Sequence, residues 1–101
     1  VRRGEVWVVR TVGRERTIVV VGADPVNEMH NSVQCVEIRG DQTVPETLVS
    51  VRMGGTDPLP GVAYVADVGP YRKERFDSLV GHLDAATMER IDVALRAVFD
   101  V

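Results

Sequence analysis

Up to Asp67 the chain is cut into short β-type runs by glycine, proline, asparagine and aspartate, and only after Asp84 do its apolar positions take up helical spacing. Few folds satisfy both constraints. Residues 5–10 (EVWVVR) and 17–21 (TIVVV) are rich in β-branched side chains and predict a hairpin, with Gly13 supplying the positive φ of a tight turn and Arg14 and Arg16 near its tip. A polar loop from Gly22 through Asn31 leads to a third strand over 33–38, closed by Gly40 and Asp41. In the fourth run, 48–53, Leu48, Ser50 and Arg52 alternate with Val49, Val51 and Met53, which predicts one dry face. Glycines and prolines over 54–61 precede a fifth strand over 62–67.

The ending differs in kind. A short helix is expected over 73–80, ended by Gly81, and a longer one starts at Asp84 as N-cap, with Met88, Ile91, Leu95 and Val98 at intervals of three and four. That stripe predicts packing against the sheet or a second subunit, and no chemistry. Short strands at this spacing, closed by one helix, predict a small barrel or sandwich with a C-terminal helix. At 101 residues the chain has room for one domain spanning 1–101.

The net charge of −3 argues against a protein that grips long nucleic acid through a broad cationic surface. Its distribution is uneven, however: residues 1–17 carry five arginines against two glutamates, while the remainder carries seven basic and thirteen acidic residues. A small cationic site on an acidic body fits that asymmetry. No apolar run approaches the roughly 18 residues of a membrane span, which predicts a cytoplasmic protein without membrane contact. The single cysteine, Cys35, permits no intrachain disulfide and is expected to be buried.

Several segments occur together in a familiar order. The opening Arg2-Arg3-Gly4-Glu5-Val6-Trp7 resembles the RRGEVW start of the MazF/PemK toxins, and the stretch from Arg16 to Asn27 partly matches their RPxLVVSxDxxN segment. Val36-Glu37-Ile38-Arg39 falls where the family has VPIT, and Ala66-Asp67 where it has ADQ. The segment from Gly81-His82-Leu83-Asp84 through Met88 to Leu95 is similar to the family's closing G.LD...M..ID.AL. The resemblance implies a mainly β, SH3-like small barrel of the MazF/CcdB type with a C-terminal helix. It also implies a homodimer that cleaves single-stranded RNA sequence-specifically without metal or other cofactor, as an mRNA interferase, and that is neutralised by a cognate antitoxin.

Metal-free RNA cleavage needs a proton taken from the 2′-hydroxyl, charge stabilised on a pentacoordinate phosphate, and a proton given to the leaving 5′-oxygen. A guanidinium suits the second task, because its planar fork matches phosphate oxygens and it stays charged. Arg16 stands at the position of the family's catalytic arginine, and Arg39 at that of its second catalytic residue, a threonine. The resemblance therefore implies Arg16 and Arg39 as the catalytic pair, with Arg39 holding phosphate where a hydroxyl would donate. Arg14, Asn27, His30, Asp67 and Tyr71 are the candidate RNA contacts: His30 can move a proton near neutrality, and Tyr71 can stack on an unpaired base. Asn27 has a structural reading as a turn residue, and His82 as a joint between two helices.

Two further departures from the family fall at 67–71, which lacks the glutamine and arginine of DQxR, and at the short connection 11–15, where many relatives carry a long loop. A binding protein on the same scaffold, such as a CcdB-like topoisomerase poison, is the alternative. The Phe99-Asp100-Val101 end lacks the tryptophan-glycine-isoleucine tail of that group.

Overall fold

The structure, a computed structural model, describes residues 1–40 and 45–101. Seven strands form one mostly antiparallel sheet: β1 (Glu5–Thr11), β2 (Arg14–Val20), β3 (Ser32–Arg39), β4 (Ser50–Arg52), β5 (Val62–Tyr64), β6 (Gly69–Arg72) and β7 (Phe76–His82). They run in the order β4-β5-β3-β2-β1-β7, with β6 also paired to β3. Helix α1 (Asp24–Met29) interrupts the β2–β3 connection, and helix α2 (Ala85–Phe99) closes the chain.

β1 and β2 form the expected hairpin, turned at Gly13 with φ +77°. Alternation along the three central strands then sorts their side chains onto two faces. On one face Val6, Val19, Val36 and Ile38 are buried against Met88, Ile91 and Ala94 of α2, so the helical stripe covers the main core. On the other, Val9, Ile18, Val20, Val33 and Cys35 form a second apolar cluster, bordered by Trp7, Tyr71 and Phe76. Trp7 and Phe76 meet edge to face, with centroids 5.6 Å apart. Burial there pushes the Cys35 thiol up to about 12, so it stays protonated as a packed apolar group.

The expected helix over 73–80 is instead a single turn at 73–75 followed by β7. The outer edge of β1 requires a partner for its backbone groups, and β7 supplies it, pairing Glu5 with His82 and Val8 with Ser78. Gly81 is therefore no helix end, and His82 is a strand residue. The polar loop over 22–31 contains α1, with Pro25 in its first turn, where a missing N–H costs nothing. The fourth and fifth strands shorten to three residues each, the latter giving way to one helical turn at 65–67. Ser50 is buried on β4 because its hydroxyl accepts from the Thr47 N–H at 2.9 Å and reaches the Pro45 carbonyl at 3.2 Å. The turn expected at Gly40-Asp41 lies partly outside the described residues.

Asp84 takes the N-cap conformation of α2, but its carboxylate accepts from Thr56 and not from the helix. The helix start is held by Asp57, which accepts from the Asp84 N–H at 2.8 Å, the Thr87 hydroxyl at 2.6 Å and the Gly54 N–H at 2.6 Å. Partial burial pushes the Asp57 carboxyl up, yet these three bonds outweigh it and hold the group below its ordinary range. At the other end of the fold, Arg3 ties the chain start to Asp92 of α2 and, through Nε, to the Val21 carbonyl at 3.1 Å.

A folded value below the unfolded one means that Asp57 stabilises fully above the ordinary carboxylate range and loses that contribution as pH falls through the folded value. Asp57→Ala is expected to cost about 1 kcal/mol at neutral pH, roughly 4–8 °C of melting temperature for a domain of this size. Melting curves across pH should show the gap to wild type narrowing in acid.

Candidate functional site

The face of the sheet that carries the second apolar cluster changes character at one end. Alternation places Arg14 and Arg16 on the same side of β2 as Ile18 and Val20, and Glu37 and Arg39 on the same side of β3 as Val33 and Cys35. Ile18 lies opposite Glu37 and Thr17 opposite Ile38, and the same register carried one residue farther brings Arg16 and Arg39 side by side. β5 reaches this end because Gly61, at φ +135°, lets the backbones close up: a Cβ there would stand 2.5 Å from the Arg39 carbonyl oxygen.

Glu37 is the centre of the arrangement. Its side chain is only 6% exposed, yet it faces three guanidinium groups. Arg16 Nη1 donates to Oε2 at 3.0 Å, Arg39 Nε donates to Oε1 at 2.7 Å, and Arg14 Nη2 stands 3.8 Å from Oε1. A carboxylate this far from water requires such partners, because the desolvation of an unpaired charge is costly. The arginine side chains remain partly exposed, Arg16 at 35%, Arg39 at 46% and Arg14 at 57%. Their stems cover the acid while parts of their charged heads reach solvent.

Among the described residues Arg39 has two further partners. Its guanidinium lies 4.4 Å from the centre of the Tyr64 ring, and Nη2 is 3.8 Å from Asp67 Oδ2. The hydrogen bond to Glu37 above all, with the charges of Glu37, Tyr64 and Asp67, raises the Arg39 pKa beyond its ordinary value despite some desolvation. Arg39 therefore stays a cation at any physiological pH. The group as a whole is three cations over one buried and one exposed carboxylate, a compact positive site on a protein of net charge −3. It can seat a phosphate-sized anion.

Among the residues singled out from sequence, Arg14, Arg16, Arg39 and Asp67 come together here. Asn27, His30 and Tyr71 do not. Asn27 is buried and donates through Nδ2 to the Gly22 carbonyl at 2.9 Å, which fastens the start of α1. His30 caps the other end of α1 and lines an open cavity of about 310 Å³ with Gly22, Val26 and Gln34. Tyr71 pairs with Val33 on β6 and packs on the second apolar cluster. These three lie near the start of β3, whereas Glu37 and Arg39 lie toward its end, about 13 and about 20 Å along the strand from Val33 at about 3.3 Å per residue.

Sequence reasoning missed Glu37 and Tyr64. Glu37 carried a signal: it is an acid inside an otherwise apolar strand, in phase with Val33 and Cys35 and not with the polar Gln34.

Comparison with known proteins fixes the family. The sequence model for the PemK-like, MazF-like toxins of type II toxin-antitoxin systems matches residues 2–99. The chain belongs to the MazF/PemK toxin family. A MazF/PemK fold is also what the solved structures give. An endoribonuclease in complex with its cognate antitoxin, from a mycobacterial species, superposes with a TM-score of 0.92 at 23% identity, covering 100% of this chain and 96% of that one. A MazE-MazF structure from Deinococcus radiodurans gives 0.83 at 12% identity, over 98% and 94%. The Mycobacterium tuberculosis toxin MazF-mt6 gives 0.81 at 16%, over 96% and 97%. No curated protein matches the chain by sequence. Among the described residues no helix is long and apolar enough to cross a membrane.

Because Arg16 and Arg39 share one carboxylate, their contributions to stability should not add. After either is removed, the other holds Glu37 with, among the described residues, only the longer Arg14 contact in support. A double-mutant cycle of Arg16→Ala and Arg39→Ala, measured by urea unfolding, should give a coupling of about 0.5–3 kcal/mol.

Proposed function

We infer that this MazF/PemK toxin is an endoribonuclease that cuts single-stranded RNA at the arginine cluster without a metal ion. The observation that carries the reading is the meeting of Arg16 and Arg39 on one carboxylate, which sets two cationic forks side by side at a partly exposed site. In the reaction the 2′-oxygen attacks phosphorus and the bond to the 5′-oxygen breaks, leaving a cyclic phosphate and a free 5′-hydroxyl. Negative charge grows on the non-bridging oxygens as the fifth bond forms. Donors fixed at that point lower the barrier more than they lower the energy of bound substrate.

Arg16 is assigned the scissile phosphate and Arg39 the assisting contact, with Arg14 drawing the neighbouring backbone phosphate. Positive charge at the phosphate then comes from side chains. Asp67, exposed beside Arg39, is assigned to accept from the Watson–Crick edge of a base next to the cut. The roles of Asn27, His30 and Tyr71 are confined to RNA that runs the length of β3. The mycobacterial and Deinococcus relatives, solved with their antitoxins, support a cognate antitoxin as the protein partner. A homodimer in the cytoplasm completes the proposal.

The test is cleavage of a long single-stranded RNA by purified protein with a chelator present. Wild type should cut at defined sites, and Arg16→Ala should lose at least about 100-fold in rate while melting cooperatively. Unchanged cutting by Arg16→Ala would remove the site, and an uncut RNA would remove the nuclease.

A further inference from the structure

We propose that Glu37 is the positioning residue of this site: its buried carboxylate fixes Arg16 and Arg39 in the one mutual orientation that presents both to a single phosphate. The inference rests on the nuclease reading above and adds a residue that never touches substrate.

Two cations brought side by side across β2 and β3 repel one another, and long side chains escape such repulsion by swinging apart into water. Glu37 prevents that. One oxygen binds Arg16 at 3.0 Å and the other binds Arg39 at 2.7 Å, so the two guanidinium groups are held to opposite edges of one rigid plane. The plane is itself fixed, because Glu37 lies in a paired strand opposite Ile18, with Cys35 beside it on the same face. The Arg39 guanidinium also lies over the Tyr64 ring. Of the nitrogens not turned to Glu37, Nη2 of Arg16 and the two Nη of Arg39 are assigned to the phosphate, with Asp67 3.8 Å from Arg39 Nη2.

The geometry separates this role from two others. Glu37 is no general base, since both oxygens already accept from guanidinium groups and the side chain is only 6% exposed. Nor does it merely occupy the phosphate seat: it lies beneath the arginines, which are several times more exposed. Binding energy that a flexible pair would spend on ordering its side chains is here supplied in folding.

The experiment compares wild type, Glu37→Gln and Glu37→Asp, each checked by melting. It measures single-turnover cleavage at saturating RNA and, separately, the Kd and its salt dependence for the same RNA with a 2′-deoxy nucleotide at the cut. Glu37→Gln keeps the shape but turns an amide donor toward one guanidinium. Its cleavage rate should fall about 100-fold, the cost of a misplaced catalytic group. Its Kd should not weaken, and its salt slope should steepen by about 0.7, because one negative charge has left the site. Glu37→Asp keeps the charge but retracts it by one methylene, so it should lose rate with the wild-type salt slope, and it preserves the test if Glu37→Gln fails to fold.

Equal cutting by wild type and both variants would overturn the positioning role and leave the nuclease standing. A faster Glu37→Gln would mean that Glu37 masks the site, and would overturn it too. Loss of binding and rate together in a well-folded variant would make the role structural only. An inert wild type would overturn both this inference and the nuclease on which it rests.

Discussion

A carboxylate in the wall of a sheet, with almost no water around it, is the feature on which the site depends. Glu37 interrupts an apolar strand face, and its charge is tolerable only if cations come to it. Strand alternation determines which cations can come: those in phase on β2, Arg16 and Arg14, two and four residues before Ile18, and the next in-phase residue of β3 itself, Arg39. The result is a positive site that an acidic protein carries without a broad basic surface. The hydrophobic patterning that builds the second cluster and the electrostatics that end it belong to the same face of the same three strands.

Rigidity follows from what lies behind that face. The opposite side of β1, β2 and β3 is buried against α2, and the helix is fastened at its start by Asp57 and along its length by the Arg3 contact to Asp92. The arginines thus stand on paired strands backed by a packed helix, not on a mobile loop. A site built on such elements holds its geometry better than one built on loops.

Much of this architecture was legible in the residues, and the exceptions have physical causes. The hairpin, its Gly13 turn and the stripe on α2 follow from local periodicity, and the structure has them where periodicity puts them. β7 was misread as a helix because Lys73 to Gly81 has neither clean alternation nor a strong β pattern. It is a strand because the free edge of β1 needs pairing, a requirement set by tertiary structure. Asp84 is the N-cap of α2 as its position indicates, but the side chain that bonds the helix start, Asp57, is 27 positions away from it and out of reach of local pattern. In the site, Arg14, Arg16 and Arg39 could be named from the hairpin and the resemblance, but their common partner could not be picked out from the fourteen other acids without the register of β2 on β3.

The claim that most needs testing is that RNA docks at the arginine end of β3 and not at the end that carries His30 and Tyr71. Amide chemical-shift mapping, with an RNA made uncleavable by a 2′-deoxy substitution, addresses it directly. Shifts centred on residues 14–18 and 37–39, with little change at 28–33 and 69–72, are the predicted result. Shifts centred on His30 and Tyr71, with Arg14, Arg16 and Arg39 undisturbed, would contradict it.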